Sequence, residues 1–329
     1  MSSLLRWGLL GTARINRMVI PPLRTSPRNR LVAVASRERA RAEDYAREWE
    51  IERAFGSYED LLADPGIDAV YIPLPNHLHV EWTVRAARAG KHVLCEKPLA
   101  LTLDEVDRAQ DAAQENGVVV AEAFMYRHHP QTLRVKALVD EGAIGAIRFV
   151  RGTFSFPLTR PNDVRLDPAM GGGSLWDVGC YPVSFTRFVL GAEPLEVFGQ
   201  ATPGPSGIDE TFAGQLVFPG GGVLAQIDCG FRAPHRVWFE VVGSEGAIEV
   251  RRPWRPEPDQ PLVLRRGDAT EEVATPGEDK YLLEIEDLAD AALLGRPPRV
   301  TLDETRGNTA TLLALLESAR TGHPIRLTR

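Results

Sequence analysis

Three residues carry the most pointed chemistry in this chain: Lys97, Asp177 and Tyr181. Lys97 sits in CEKPLA, Cys95–Ala100, directly after an apolar run. That puts it at the carboxyl edge of a strand, where parallel sheets keep functional groups. A lysine there offers a fixed positive charge, or a proton where its surroundings lower its pKa. Asp177 and Tyr181 lie in GGGSLWDVGCY, Gly171–Tyr181, at the i, i+4 spacing of one α-helical face. A carboxylate and a phenol projecting together can act on an alcohol proton. The glycine run before them lets the chain approach something closely. Each feature has a plainer explanation too: a lysine on a turn is often an ion-pair partner, and a buried Asp often orients a buried Tyr. The histidines of PNHLHVEW (His77, His79) and YRHHP (His128, His129) lack a carboxylate or cysteine at ligand spacing, so no metal is expected. Asn76 and His79 read better as cleft-lining groups at a strand edge.

A second group of residues points to a bound phosphate. GLLGTARIN, Gly8–Asn16, nearly spells the dinucleotide-binding turn G-x-G-x-x-G, with Ala13 and Asn16 in place of the second and third glycines. Backbone N–H groups at such a helix start face a pyrophosphate, and the helix dipole favours it. Read alone, the stretch fits an ordinary strand-to-helix turn equally well. About twenty residues on, where an NAD site usually places Asp or Glu, the chain reads ASRERAR. Ser36 and Arg37 occupy the strand end, with Arg39 and Arg41 nearby. A hydroxyl and a guanidinium suit a 2′-phosphate, so NADP is expected, with NAD still possible.

The elements that must position these groups follow from periodicity. In the first third, apolar strands (Arg6–Leu10, Arg30–Ser36, Ala69–Pro73, Lys91–Cys95, then VVVAEAF) alternate with helices near Arg14–Thr25, Arg39–Glu50, His77–Ala89 and Thr102–Asn116. This predicts an α/β Rossmann-type doubly wound parallel sheet over residues 1–124. After a helix near Gln131–Asp140 come longer strand-like runs at Ala146–Phe156, Leu195–Ala201, Glu210–Phe218, Val223–Phe231 and Val237–Val250. A helix at Ser174–Leu190 interrupts them, and helices near Asp279–Leu294 and Glu304–Arg320 close the chain. Residues 125–329 are therefore predicted to form an α+β domain with a large, mostly antiparallel open sheet. Ligands of doubly wound sheets sit beyond the carboxyl ends of the strands, so the active site is expected in a cleft between the domains.

Bulk composition bounds the function. The chain has 329 residues, 43% hydrophobic and 25% charged, with a formal net charge of −7. An acidic balance argues against a nucleic-acid or membrane-surface binder. No apolar run reaches the length of a membrane span, and LLRWGLLGTA, broken by Arg6, reads as a first strand rather than a signal peptide. Three scattered cysteines point to reduced thiols and a cytoplasmic protein.

Together these blocks resemble one family, the glucose–fructose oxidoreductase/inositol dehydrogenase (Gfo/Idh/MocA) family of NAD(P)-dependent oxidoreductases. The resemblance covers essentially the whole chain. It rests on the Gly8–Asn16 turn, on PNHLHVEWTVRAARAGKHVLCEKPLA, on AEAFMYRHHP and on GGGSLWDVGCYP, in order and at the right spacing. Tyr181, where many relatives carry His, and the GTARI turn are similar to the branch holding glucose–fructose oxidoreductase, NADP-dependent D-xylose dehydrogenases and dimeric dihydrodiol dehydrogenase. The resemblance implies a cis Lys97–Pro98 bond and catalytic roles for Lys97, Asp177 and Tyr181, leaving open whether Lys97 or Tyr181 moves the proton. It implies cofactor contacts from Gly8, Gly11, Thr12, Ala13, Arg14, Ile15, Ser36, Arg37, Leu74, Asn76, His79, Glu96, Lys97 and Arg127. Arg165, in a loop similar to that branch, is expected to reach cofactor or substrate, with Phe154, Trp254 and Tyr281 as aromatic walls. The implied activity interconverts CH–OH and C=O on a sugar, cyclic polyol or diol. A xylose-like aldose 1-dehydrogenase comes first; a trans-dihydrodiol dehydrogenase or a non-catalytic NADP-sensing regulator is the alternative. A homodimer or homotetramer through the second domain's sheet is implied as well.

Overall fold

The computed structural model describes residues 4–327, and in the first third of them the predicted alternation becomes a parallel sheet. Its strands are β1 (Leu5–Leu10), β2 (Asn29–Ala35), β3 (Arg53–Phe55), β4 (Ala69–Ile72), β5 (His92–Glu96) and β6 (Val120–Ala123), ordered β3-β2-β1-β4-β5-β6. Every pairing is parallel. The order reverses beside β1, so the switch point lies beside the Gly8–Asn16 turn. Helices α1 (Asn16–Thr25), α2 (Arg39–Glu48), α3 (Tyr58–Ala63), α4 (His79–Arg88) and α5 (Leu103–Asn116) cover the sheet. Burial on both faces is why β1 and β4 have near-continuous apolar sequences. Thr102 caps α5 by accepting from the Glu105 N–H (3.2 Å), and Gly117 closes it at φ +63°. The sequence reading passes over β3 and α3, whose short lengths leave little periodicity to detect.

The second unit is built on nine strands. Helix α6 (Pro130–Asp140) leads to β7 (Ile147–Ser155), and α7 (Cys180–Leu190) precedes β8 (Glu196–Pro203). The series continues through β9 (Asp209–Phe218), β10 (Val223–Gly230), β11 (Arg236–Gly243), β12 (Gly246–Val250), β13 (Leu262–Arg266) and β14 (Ala269–Val273). The chain ends in α8 (Lys280–Leu294), α9 (Leu302–Thr321) and β15 (Ile325–Arg326). The sheet order is β14-β13-β12-β11-β7-β10-β9-β8-β15, antiparallel except for β7 beside β10. One face is covered by α7 and by α9, whose Ser318 hydroxyl accepts from the Gly199 N–H (3.0 Å). Along β8, β9 and β10 the side chains alternate between that buried face and an exposed one. The single strand expected over Val237–Val250 is a hairpin, because Ser244–Glu245 turns the chain between β11 and β12.

The first unit also reclaims a late segment. It comprises the chain up to Met125 plus Tyr281–Arg306, and the second comprises Tyr126–Lys280 with the chain from Gly307 on. A boundary near 124 alone does not describe this return, which rests on ion pairs distant in sequence. Arg28, just before β2, pairs with Glu286 and with Asp290 (2.6 Å), both on α8. No helix among the described residues is long and apolar enough to cross a membrane.

Candidate functional site

The phosphate turn grows out of β1. Gly8 is packed inside the unit rather than at its surface: a Cβ there would come within 2.8 Å of the Leu61 side chain on α3. Gly11 is the glycine the turn requires. Its φ is +111°, and an added Cβ would lie 3.2 Å from the Leu74 side chain. Asn16 fills the place of the third glycine by donating its amide to the Gly11 carbonyl (2.9 Å). Among the described residues, no acceptor takes the backbone N–H of Thr12, Ala13, Arg14 or Ile15. Unpartnered donors at the head of α1 fit a pyrophosphate, so the residues present suit the dinucleotide that the fold implies.

The end of β2 separates the three arginines. Arg39 pairs with Glu43 (2.8 Å) on its own helix. Arg41 donates to the Thr12 hydroxyl (2.8 Å), tying α2 to the phosphate turn. Arg37 is exposed, and its charge is felt by Tyr58, whose hydroxyl lies beside Gly11. The buried Ser36 hydroxyl accepts from the Glu38 N–H (3.4 Å). The result is a hydroxyl and two guanidiniums close to the turn.

Lys97 follows β5, half-buried, and the Lys97–Pro98 bond is cis. Its neighbours are held by buried polar side chains from three other elements. On β4, Tyr71 donates to the Glu96 carboxylate (2.5 Å), while burial raises the Tyr71 pKa and keeps it neutral. On α4, His79 sets Nδ1 2.7 Å from the Pro98 carbonyl oxygen and Nε2 2.6 Å from that of Leu74. On β6, Glu122 accepts from the Leu99 N–H (2.9 Å) and from the Thr305 hydroxyl of α9 (2.8 Å). Burial pushes His79 down to about 4, against the pull of its two carbonyl contacts. The neutral ring carries one N–H and donates to one carbonyl at a time. His79 is 1% exposed, so it is buried in the first unit and does not line a surface as the sequence reading expected. Asn76 opens a short 3₁₀ turn, Asn76–Leu78, just ahead of it.

In the second unit, the glycine run approaches protein rather than ligand. A Cβ on Gly172 would fall 2.5 Å from the Arg165 carbonyl oxygen, and one on Gly173 would fall 2.5 Å from the Asp209 carboxylate. The N–H groups of Gly172 and Gly173 donate to the carbonyls of Asp167 and Arg165, closing this loop onto the run. Asp209, at the start of β9, accepts from the Ser174 hydroxyl and from the Leu175 N–H, each 2.7 Å away. Burial raises its pKa to about 6. The helix expected from 174 to 190 opens with a wider π-helical turn, Leu175–Gly179, before α7 begins. Asp177 is on that turn and Tyr181 is in the first turn of α7, so the α-helical i, i+4 relation does not describe them. The Asp177 carboxylate accepts from Arg165 Nε (2.7 Å), and Arg165 also pairs with Asp163 (3.0 Å). The Arg165 pKa is raised, first by the charge of Asp177.

Several expected contacts sit elsewhere. Trp254 is 1% exposed and its indole N–H ends on the Thr153 carbonyl (3.0 Å). With Phe154 and Tyr126 it packs around the Tyr181 ring at centroid distances of 5.8, 5.4 and 5.6 Å. Phe154 and Trp254 therefore wall Tyr181 rather than a ligand, and Tyr281 is buried as well. Arg127 is buried with its guanidinium 3.9 Å from the Phe188 ring centroid, a packed position rather than an open anion site. Tyr71, Glu122 and Asp209, which hold the segments around Lys97 and Asp177, are the residues that sequence reasoning missed. Glu122 had a signal: a carboxylate inside the apolar run VVVAEAF asks for buried donors.

Comparison with known proteins agrees with this geometry. Residues 5–124 match the model of an oxidoreductase family with an NAD-binding Rossmann fold, and residues 132–249 match the GFO/IDH/MocA C-terminal domain. The chain is 40% identical to a D-xylose 1-dehydrogenase (NADP(+)) of Haloferax volcanii, covering 98% of this chain and 99% of that one. Its fold is similar to that of aldose-aldose oxidoreductase from Caulobacter crescentus, with a TM-score of 0.92, 27% identity, and 98% and 100% coverage of the two chains. It is also similar to a 3-ketoreductase from Actinomadura kijaniata solved with NADP and TDP-benzene, with a TM-score of 0.89, 32% identity, and 96% and 98% coverage.

Proposed function

Because the chain belongs to the Gfo/Idh/MocA oxidoreductase family, we propose that it uses NADP to interconvert CH–OH and C=O on a neutral sugar or cyclic polyol. The substrate we favour is a xylose-like aldose, oxidised at its anomeric carbon. One observation carries the reading. A single parallel sheet presents both the unpartnered N–H groups of Thr12–Ile15 and, at the end of β5, a lysine whose loop is fixed on several sides. Two features of the second unit support a neutral substrate. Arg160 is paired with Asp163 (2.6 Å), and Arg165 with Asp163 and Asp177, so this loop offers little free positive charge to a nucleotide diphosphate.

When bound, NADP⁺ supplies the hydride acceptor. The chain's own residues handle the alcohol proton. A phenol with its ordinary pKa of about 10 is a poor base near neutrality, so Tyr181 needs a nearby positive charge to serve. Lys97 is the other candidate to hold that proton, and a lysine–tyrosine unit would titrate as a pair. Asp177, held by Arg165, orients the substrate hydroxyl. The walls of Phe154, Tyr126 and Trp254 restrict the Tyr181 ring and keep water from it.

The test is turnover of NADP⁺ with a panel of aldoses and trans-dihydrodiols, followed by absorbance of the reduced cofactor. Aldose oxidation is the expected result. Turnover of dihydrodiols alone moves the substrate to the alternative class, and tight NADP binding with no turnover makes the chain a nucleotide sensor. Arg37→Asp is expected to lower kcat/KM with NADP⁺ by roughly 10²-fold while sparing NAD⁺, the loss of one charge-assisted phosphate contact. A wild type that already prefers NAD⁺ removes the NADP assignment.

The same reading includes a homodimer or homotetramer through the outer face of the nine-stranded sheet. Phe198 and Leu224 are 38% and 47% exposed on that face, which has a cavity of about 540 Å³ floored by residues such as Gln226 and Trp238. Sedimentation of the wild type and of Trp238→Glu checks it: an oligomer that the substitution dissociates is expected.

A further inference from the structure

We propose that Glu122 and His79 are positioning residues for Lys97, setting where its ammonium stands by gripping the main chain just after it. This rests on the reading of Lys97 as catalytic. The two residues following Lys97 are the ones held: the Pro98 carbonyl faces His79 Nδ1 at 2.7 Å, and the Leu99 N–H donates to Glu122 Oε1 at 2.9 Å. Neither gripping residue comes from the β5 loop itself. His79 opens α4, and its other nitrogen stands 2.6 Å from the Leu74 carbonyl, so one ring spans the turns that follow β4 and β5. Leu74 is the residue that faces Gly11 of the phosphate turn. His79 thus stands between the lysine loop and the loop bordering the cofactor turn, with its one N–H within reach of either carbonyl.

Glu122 is the more telling of the two. It is 3% exposed, in the middle of β6, with apolar neighbours in its strand. A carboxylate taken from water into such a place is unfavourable unless donors meet it, and a leucine or valine would fill the strand without that difficulty. Its two oxygens meet a backbone N–H of the lysine loop and the Thr305 hydroxyl. Those contacts do nothing for phosphate binding. They fix the height of residues 98–99 above the sheet, and with it the root of the Lys97 side chain. A displacement of about 1 Å at a reacting centre lowers a rate roughly 10²-fold, which is the scale expected here.

The experiment is a double-substitution cycle in the full-length enzyme. Glu122→Ala is expected to lower kcat roughly 10²-fold with the NADP dissociation constant changed less than about threefold. Glu122→Gln should recover most of the rate. Its amide oxygen still accepts from Leu99, and its NH₂ can donate to a reoriented Thr305 hydroxyl. In a Lys97→Met background, measured by single turnover, Glu122→Ala should cost less than about threefold more, because its effect passes through the lysine. If Glu122→Ala does not fold, His79→Leu takes its place, since an apolar side chain donates to neither carbonyl. Full multiplicative losses in the cycle, or wild-type kcat in a folded Glu122→Ala enzyme, would overturn the proposal. Lys97→Met with near-wild-type turnover would remove the assignment of Lys97 itself, an outcome seen without any second substitution.

Discussion

The Lys97 segment and the Asp177–Tyr181 segment are both held in place, but by different kinds of contact. Around Lys97, buried side chains grip backbone atoms, with His79 at Pro98 and Glu122 at Leu99. Around Asp177 and Tyr181, one buried carboxylate grips the head of a π turn, Arg165 neutralises the functional carboxylate, and aromatic rings wall in the phenol. A backbone grip holds the main chain from which the side chain springs. A charge-paired grip holds the carboxylate itself, here through Arg165. The second arrangement also places a titrating group, Asp209, at the root of the site.

The comparison is sharpest where the functional groups are removed outright. Lys97→Met and Tyr181→Phe are each expected to lower kcat by roughly 10³-fold, within the range for general acid–base groups, with cofactor affinity spared. Near-wild-type turnover in either would break the pairing of roles. Next comes Asp209. Its pKa is raised from 3.8 to about 6 in the folded chain, so the folded state keeps a proton that the unfolded state has released. Stability is therefore fullest below about pH 4 and falls as pH rises towards 6, by about 3 kcal/mol from this group. Asp209→Asn should abolish that slope in urea titrations run from pH 4 to 7, and an unchanged slope would place the titration elsewhere. The smallest effect expected is that of Gly172→Ala. An added methyl 2.5 Å from the Arg165 carbonyl forces the loop away and should cost about 1–3 kcal/mol. Because that loop carries the partner of Asp177, kcat/KM should fall with it while NADP binding does not.

Much of this was legible in the sequence, and the parts that were not share a cause. The alternation of the first third, the cap at Thr102, the turn at Gly11 and the placement of Lys97 at a strand end all follow from local patterns. The grip on Lys97 does not, because Glu122 reaches Leu99 across 23 residues and Thr305 across 183. The glycine run at Gly171–Gly173 announced a close approach but could not name its object, which is the Arg165 carbonyl and Asp209. Trp254 looked like a ligand wall because aromatic residues in loops often are; only its burial and its bond to Thr153 show that it backs Tyr181. The π turn was invisible because nothing in LWDVG separates a π turn from an α turn, and the wider turn shows only in the backbone.

The return of Tyr281–Arg306 to the first unit bears on how the protein is made. Arg28 waits for partners 258 and 262 residues later in the chain, and Glu122 waits for Thr305. During synthesis the whole of Tyr126–Lys280 is made before these partners exist. The first unit is thus complete only after the segment Tyr126–Lys280 has been made. Until then, Glu122 lacks the Thr305 hydroxyl beneath the loop that follows Lys97.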